Sequence, residues 1–122
     1  MNDGILLPPR DTKLRLENYF NRVNTVRFTM QMVQGGLITE LIPEAAHECK
    51  RQFVKSMEGL VEDVSSGRVP EAEGIGEPQL REMLEVARTN DWTKPETIRQ
   101  LYQTYSAITG RQFDECLFEG LE

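Results

Sequence analysis

Apolar residues recur at steps of three and four along most of this chain, the spacing that places side chains on one face of an α-helix. Within the segment from Asp11 to Gly36, about 22 residues are predicted to form a first helix on this basis. Its main apolar stripe consists of Leu16, Tyr19, Phe20, Val23, Val26, Met30 and Val33. Pro8 and Pro9 disfavour a helix before that point, so residues 1–10 are predicted to form an extended arm.

A second segment shows the same periodicity without interruption. One continuous seam is formed by Ala46, Cys49, Phe53, Met57, Leu60 and Val64. Pro43 and Glu44 suit the first turn of this helix, because proline needs no amide donor there and a carboxylate is favoured at the positive helix end. Since the connection to the first helix is short, the two are predicted to form an antiparallel hairpin.

Glycine and proline are concentrated between residues 65 and 79, which predicts a flexible loop. Two helices are predicted after it, and the second is expected to begin with a capping box formed by Thr93 and Glu96. Their inward residues are predicted to be Leu80, Met83, Leu84, Ala87, Ile98, Leu101, Tyr102, Tyr105 and Ile108. A short last helix is predicted to place Phe113, Cys116 and Leu117 on one side.

Together these patterns predict an all-α fold, an antiparallel helical hairpin packed with two or three shorter helices as a small helical bundle. Residues 1–122 are expected to form a single domain, because this length lies close to the commonest domain size. No apolar run reaches the ~18 residues of a membrane helix, and the first ten residues lack a targeting pattern. A cytoplasmic location is therefore expected. The two cysteines are expected to be buried free thiols.

The residue types that catalyse reactions or bind metals do not occur in this sequence at the spacings of a known catalytic or metal site. His47 is the only histidine, and Cys49 two positions later does not face it on a helix. The paired glutamates Glu44/Glu48 and Glu58/Glu62 lack the Glu-x-x-His units of a two-metal bundle. We therefore expect no enzyme activity, no cofactor and no metal site.

The segment 80–109 has the outline of a helix-turn-helix, which would make the protein a nucleic-acid-binding regulator. The side chains that would face a major groove are Lys94, Thr97, Arg99, Gln100 and Gln103. However, the turn has no glycine, the segment has no positive excess, and the chain has a net charge of −6. Packing inside the bundle is the preferred interpretation of this helix.

Two surfaces are candidates for contact with another protein. The first helix is apolar over more of its circumference than one core face requires, and it carries arginines beside aromatic residues. The acidic segment 113–122, with four carboxylates, is predicted either to pack on the core as a closing helix, which is the preferred interpretation, or to dock in a groove of a partner. The predicted contact residues are Leu14, Arg15, Tyr19, Arg22, Arg27, Phe28, Met32, Phe118 and Leu121.

These observations favour a non-enzymatic protein–protein interaction module that acts as an adaptor, regulator or inhibitor. Its partner would be another protein of unknown identity, or a second copy of the chain in a homodimer. Nucleic-acid binding through residues 80–109 is the alternative, and a third is an acidic mimic that inhibits a nucleic-acid-binding protein. No membrane contact is expected.

Overall fold

Four α-helices and one short 3₁₀ turn make up the regular structure. The computed structural model describes residues 9–37, 43–72 and 74–121. In these ranges α1 spans Pro9–Gln34, α2 spans Pro43–Ser65, α3 spans Glu77–Thr89 and α4 spans Pro95–Thr109. The C-terminal 3₁₀ turn spans Glu115–Phe118. The only β-type pairing among the described residues is an isolated bridge between Ala72 and Ile75.

Helices α1 and α2 form the antiparallel hairpin that the sequence predicts. The Arg15 guanidinium donates to the Asp63 carboxylate at 2.9 Å near one end of the hairpin. The Arg22 guanidinium donates to the Gln52 side-chain oxygen at 2.8 Å. Residue numbers therefore rise along α1 as they fall along α2. The apolar stripes of the two helices face each other, and most of their residues are buried, while Tyr19, Val33 and Cys49 at their margins are half-buried.

Helix α4 closes the bundle by packing antiparallel against α1. The Arg27 guanidinium donates to the Tyr102 hydroxyl at 2.8 Å, and the rings of Phe20 and Tyr105 stack with centroids 4.0 Å apart. Helix α3 lies between α2 and α4, so each helix contacts the preceding one and α4 returns to α1. The all-α helical-bundle prediction is confirmed.

The core draws on all four helices and on the connections between them. Trp92, in the turn between α3 and α4, is fully buried, and its indole nitrogen donates to the Ala87 carbonyl at 2.9 Å. Its ring centroid lies 5.5 Å from that of Phe53 on α2. Every residue named above as inward on α3 and α4 is buried. The helical periodicity therefore identified this part of the core correctly.

The predicted starts of α1 and α4 both need correction. Helix α1 begins at Pro9, inside the predicted arm, because proline at the first helical position has no amide that needs an acceptor. Residues 1–8 lie outside the described residues. The predicted capping box at α4 is wrong: Lys94 is the N-cap residue, and the Thr93 hydroxyl instead donates to the Asp91 carboxylate at 2.7 Å.

The connection between α2 and α3 is packed against the bundle. Val69 and Ile75 are both buried, and the Thr12 hydroxyl of α1 donates to the Pro70 carbonyl at 2.8 Å. Gly74 has a positive φ of 75°, which turns the chain toward α3. The connection is shorter than the predicted range 65–79, because α2 includes Ser65 and α3 begins at Glu77. Its flexibility stays a prediction.

Candidate interaction surfaces

The C-terminal end of α1 carries a group of apolar side chains that the core does not cover. Phe28 is 59% exposed, Leu37 is 75% exposed, and Met32 is half-buried one helical turn after Phe28. The backbone brings Leu37 back beside Met32, because the Leu37 amide donates to the Met32 carbonyl at 2.9 Å and the Gly36 amide donates to Val33 at 3.1 Å. This is a Schellman ending, in which the residues at the positions of Met32 and Leu37 commonly pack together. We call Phe28, Met32 and Leu37 the α1 terminal patch.

Leu14, at the other end of α1, is exposed but separate from this patch. It is 51% exposed and lies fourteen positions before Phe28, which corresponds to about 21 Å along the helix axis. Asn18, Asn21 and Thr25 occupy the exposed surface between them. The predicted apolar surface is therefore not continuous along α1.

The three arginines among the predicted contact residues form hydrogen bonds or ion pairs within the chain. Arg15 bonds to Asp63 and donates to the Tyr19 hydroxyl at 2.9 Å. Arg22 bonds to Gln52, and Arg27 bonds to Tyr102 and to the Gln31 side chain at 2.6 Å. We therefore assign Arg15, Tyr19, Arg22 and Arg27 to holding α1 in place, a role that helical periodicity does not reveal.

Asp63 is the centre of the ion-pair network at the Arg15 end of the hairpin. Partial burial tends to raise the pKa of its carboxyl, but hydrogen bonds and charge from Arg15 and Arg68 outweigh that effect and hold the pKa below its ordinary value. The carboxylate therefore stays ionised and contributes to joining α1, α2 and the loop that follows α2.

The C-terminal segment packs on the core, as its preferred interpretation predicts, and this corrects the assignment of Phe118 and Leu121 as contact residues. Phe118 and Leu121 are buried, with 3% and 7% of their surface exposed. The Phe118 ring meets Tyr102 edge to face at a centroid distance of 5.1 Å, and Gln31 on α1 donates to the Leu117 carbonyl at 2.5 Å. These residues pack inward because the chain folds back over α1 and α4 after Gly110.

The two cysteines differ in their surroundings. Both are free thiols, as predicted, but Cys116 is exposed and Cys49 is only half-buried, so the prediction that both are buried is wrong. The negative charge of Asp114 is the main cause that raises the pKa of the Cys116 thiol. For Cys49, burial raises the thiol pKa. At Cys49 the charge of Arg22 opposes this increase without reversing it. The thiol pKa is thus raised at both cysteines, whereas an activated nucleophilic cysteine has a lowered pKa.

The predicted nucleic-acid surface of α4 is divided between the interior, the C-terminal segment and solvent. Thr97 is buried and cannot face a groove, so its assignment is wrong. Arg99 forms an ion pair with Glu115 and lies 5.5 Å from the ring centroids of Phe113 and Phe118. The exposed residues of the predicted set are Lys94, Gln100 and Gln103.

Two features of the assembled bundle have no counterpart in the sequence periodicity. A pocket of about 330 Å³ lies between α1 and α4, and its lining includes Phe20, Tyr102 and Tyr105. Basic side chains of α2 and α3, among them Lys55 and Arg88, meet around a second, shallower surface depression. Both features depend on which helices pair, and spacing within one helix does not specify that pairing.

Within the described ranges, no three His, Cys, Asp or Glu side chains converge as a metal site. His47 lies exposed on the outer surface of α2. None of the helices in those ranges combines the length and the apolar run that crossing a bilayer requires.

Comparison with known proteins finds no matching family model, no matching curated protein and no matching solved structure.

Proposed function

We propose that this protein is a non-enzymatic protein–protein interaction module, of the adaptor, regulator or inhibitor kind, which contacts its partner through the α1 terminal patch. The observation that carries the proposal is the exposure of both Phe28 and Leu37 at the same well-defined helix end, one on each side of the half-buried Met32 along the chain. Large apolar side chains that are grouped and exposed are typical of interaction surfaces, whereas single exposed ones need no explanation.

The composition of the segment that carries the patch supports this assignment. Residues 28–37 contain no Asp, Glu, Lys or Arg, although 28% of the whole chain is charged. Depletion of charged residues is the compositional signature of the centre of a protein interface. Because the chain carries a net charge of −6, an uncharged contact region also reduces repulsion from an acidic partner or from a second copy.

The end of α1 is held firmly by bonds on the side of the helix that faces the bundle. Arg27 bonds to Tyr102 on α4, and Gln31 bonds to the Leu117 carbonyl of the C-terminal segment. These two residues flank Phe28 in sequence, so they fix the helix that carries the patch. A surface that is already ordered loses less conformational entropy on binding, which favours affinity. The arginines among the predicted contact residues thus support the proposed contact indirectly, because they hold α1 in place.

The proposal is tested by affinity capture from a lysate of the native host, with and without nuclease. The wild-type chain is compared with a Phe28→Ser, Leu37→Ser double variant and with Leu14→Ser as a matched control. We expect a partner that survives nuclease, is lost with the double variant and is retained by Leu14→Ser. Equal retention by all three chains would exclude the patch as the contact surface.

Two further measurements test the alternatives of nucleic-acid binding and a homodimer. Retention that disappears after nuclease would favour nucleic-acid binding, for which Lys94, Gln100 and Gln103 are the exposed candidates. Such binding should also weaken by orders of magnitude as salt rises, since it depends on phosphate contacts. Sedimentation of the purified chain over a range of concentrations tests for a homodimer, and the double variant should abolish any dimer formed through the patch.

A further inference from the structure

The pocket between α1 and α4 has the size and lining of a small-molecule site. Its volume of about 330 Å³ falls at the lower end of the range for ligand pockets, roughly 300–1,000 Å³. The rings of Phe20, Tyr102 and Tyr105 contribute to its lining, and all three residues are at least nine-tenths buried. Amide side chains of Asn21, Asn24 and Gln112 also line it, and they supply both hydrogen-bond donors and acceptors.

Tyr105 places a free hydroxyl in the lining of this pocket. Its side chain is 8% exposed, and its hydroxyl makes no hydrogen bond within the part of the chain that the structure describes and is open to solvent. Tyr102 provides the contrast, because its hydroxyl accepts from Arg27 and donates to Asn24. Because a phenol hydroxyl can both donate and accept, the open Tyr105 hydroxyl is suited to a bond with a bound molecule.

The protonation state of Tyr105 makes its hydroxyl a donor. Burial raises the pKa of the Tyr105 phenol above its ordinary value, the charge of Arg111 lowers it, and the charge of Glu17 raises it again. With the net shift upward, the phenol stays protonated at neutral pH. The ligand atom that faces it is therefore expected to be an acceptor.

The charges of the lining disfavour an anionic ligand. Glu17 and Arg111 neutralise each other in an ion pair of 2.8 Å, which leaves Asp114 as the remaining charged group in the lining. The Asp114 carboxylate accepts from the Cys116 amide at 2.9 Å. A phosphate or carboxylate group would meet this negative charge without a free cation of the lining to offset it.

We propose that the pocket binds a small neutral heteroaromatic compound, about the size of a purine base or nucleoside. Its ring packs against the aromatic lining, and one of its acceptor atoms receives a hydrogen bond from the Tyr105 hydroxyl. The amides of Asn21, Asn24 and Gln112 bond to the edge of the ring. The Asn24 side of this site lies one helical turn before Phe28, and the two residues line a common shallow depression, but the existence of the site does not depend on the proposed partner contact.

The test uses 2-aminopurine riboside as a fluorescent probe, titrated with the purified full-length chain. Its fluorescence is quenched when it stacks on an aromatic ring, and it is excited at wavelengths where Trp92 absorbs little. We expect saturable quenching with the wild-type protein. Tyr105→Phe should weaken binding about fivefold to tenfold, the loss expected for one hydrogen bond. The matched control Tyr19→Phe removes a hydroxyl outside the pocket and should leave binding unchanged.

Tyr105→Phe should fold normally, because the hydroxyl it removes has no partner among the described residues. Circular dichroism melting checks this expectation. A second variant, Ser106→Phe, places a bulky side chain in the lining and should abolish quenching. The 5′-monophosphate of the probe should bind more weakly than the riboside.

Three results would overturn the proposal. Quenching that does not saturate, or that both Tyr105→Phe and Ser106→Phe leave unchanged, means that the pocket is not the binding site. Binding that Ser106→Phe abolishes but Tyr105→Phe does not affect means that the hydroxyl is not the anchor. Tighter binding of the monophosphate means that the ligand class is anionic.

Discussion

Replacement of Phe118 by alanine tests whether the C-terminal segment belongs to the core. Phe118 is 3% exposed, and its ring lies 5.1 Å from Tyr102 and 5.7 Å from Phe113, measured between centroids. Phe→Ala at a fully buried site costs about 3–5 kcal/mol of folding free energy. We expect about 3 kcal/mol, the lower end of that range. The reason is that a short terminal segment relaxes more easily than a helix in the middle of the bundle.

The assay is urea-induced unfolding followed by the fluorescence of Trp92, which is fully buried in the native state. A loss of 3 kcal/mol corresponds to a melting temperature lower by roughly 12 °C for a domain of this size. Phe28→Ala is the matched control, because it makes the same chemical change at a side chain that is 59% exposed. It should cost less than about 0.5 kcal/mol.

The reasoning would be refuted if Phe118→Ala cost less than about 1 kcal/mol, which is within the range of ordinary surface substitutions and small local changes. It would also be refuted if the two alanine variants had equal stability. In either case the segment would be a detachable tail, and the alternative role of a docking element would gain support.

Three further predictions concern pH, the backbone and the thiols. Asp63→Asn should destabilise the protein at neutral pH, because a carboxyl with a lowered pKa stabilises the fold only while it is ionised. In urea titrations, the difference in unfolding free energy from the wild type should therefore shrink as pH falls below about 4. A difference that does not change with pH would contradict this. Gly74→Ala should cost about 1–2 kcal/mol, since its φ is positive and its new Cβ would lie 3.2 Å from the Ile108 carbonyl oxygen. Gly59→Ala, at an open helical position, should instead stabilise by about 0.5–1 kcal/mol, and equal effects of the two would refute the argument. Cys116 should react with Ellman's reagent more slowly at neutral pH than a small-molecule thiol, because nearby carboxylates raise its pKa, and a faster reaction would contradict that environment.

Helical periodicity was sufficient to predict the bundle because each helix buries a single stripe of apolar residues. The stripes at Phe53, Met57 and Leu60 on α2 and at Ile98 and Leu101 on α4 are buried as the spacing predicts. Such stripes reflect a purely local rule, in which the face that is apolar becomes the face that packs.

The surface residues could not be predicted in the same way, because their roles depend on contacts between distant segments. Arg27 and Arg99 are typical surface residues by sequence, yet they bond to Tyr102 and Glu115 from other elements. Phe118 lies outside the predicted stripe of the last helix, but the segment forms a 3₁₀ turn and folds back onto α4. No periodic signal specifies that return of the chain.

The exposure of some of the predicted contact residues followed from their positions in the sequence. Phe28 and Leu14 are exposed as their positions outside the main stripe of α1 suggested, and Met32 is half-buried. Leu37 was not among the predicted contact residues. The glycine pair before it is the signal that could have located it, because a Schellman ending at Gly36 places the next residue beside the last turn of the helix.

The central claim is tested most directly by placing a photo-reactive side chain within the α1 terminal patch. The phenylalanine analogue p-benzoylphenylalanine replaces Phe28, where it stays exposed, and in a parallel chain it replaces Leu14 at the other end of the helix. After irradiation in cells of the native host, the account predicts a discrete covalent adduct with a partner protein, or with a second copy, from position 28 and none from position 14. Adducts of equal yield from both positions, or none from position 28, would contradict the account.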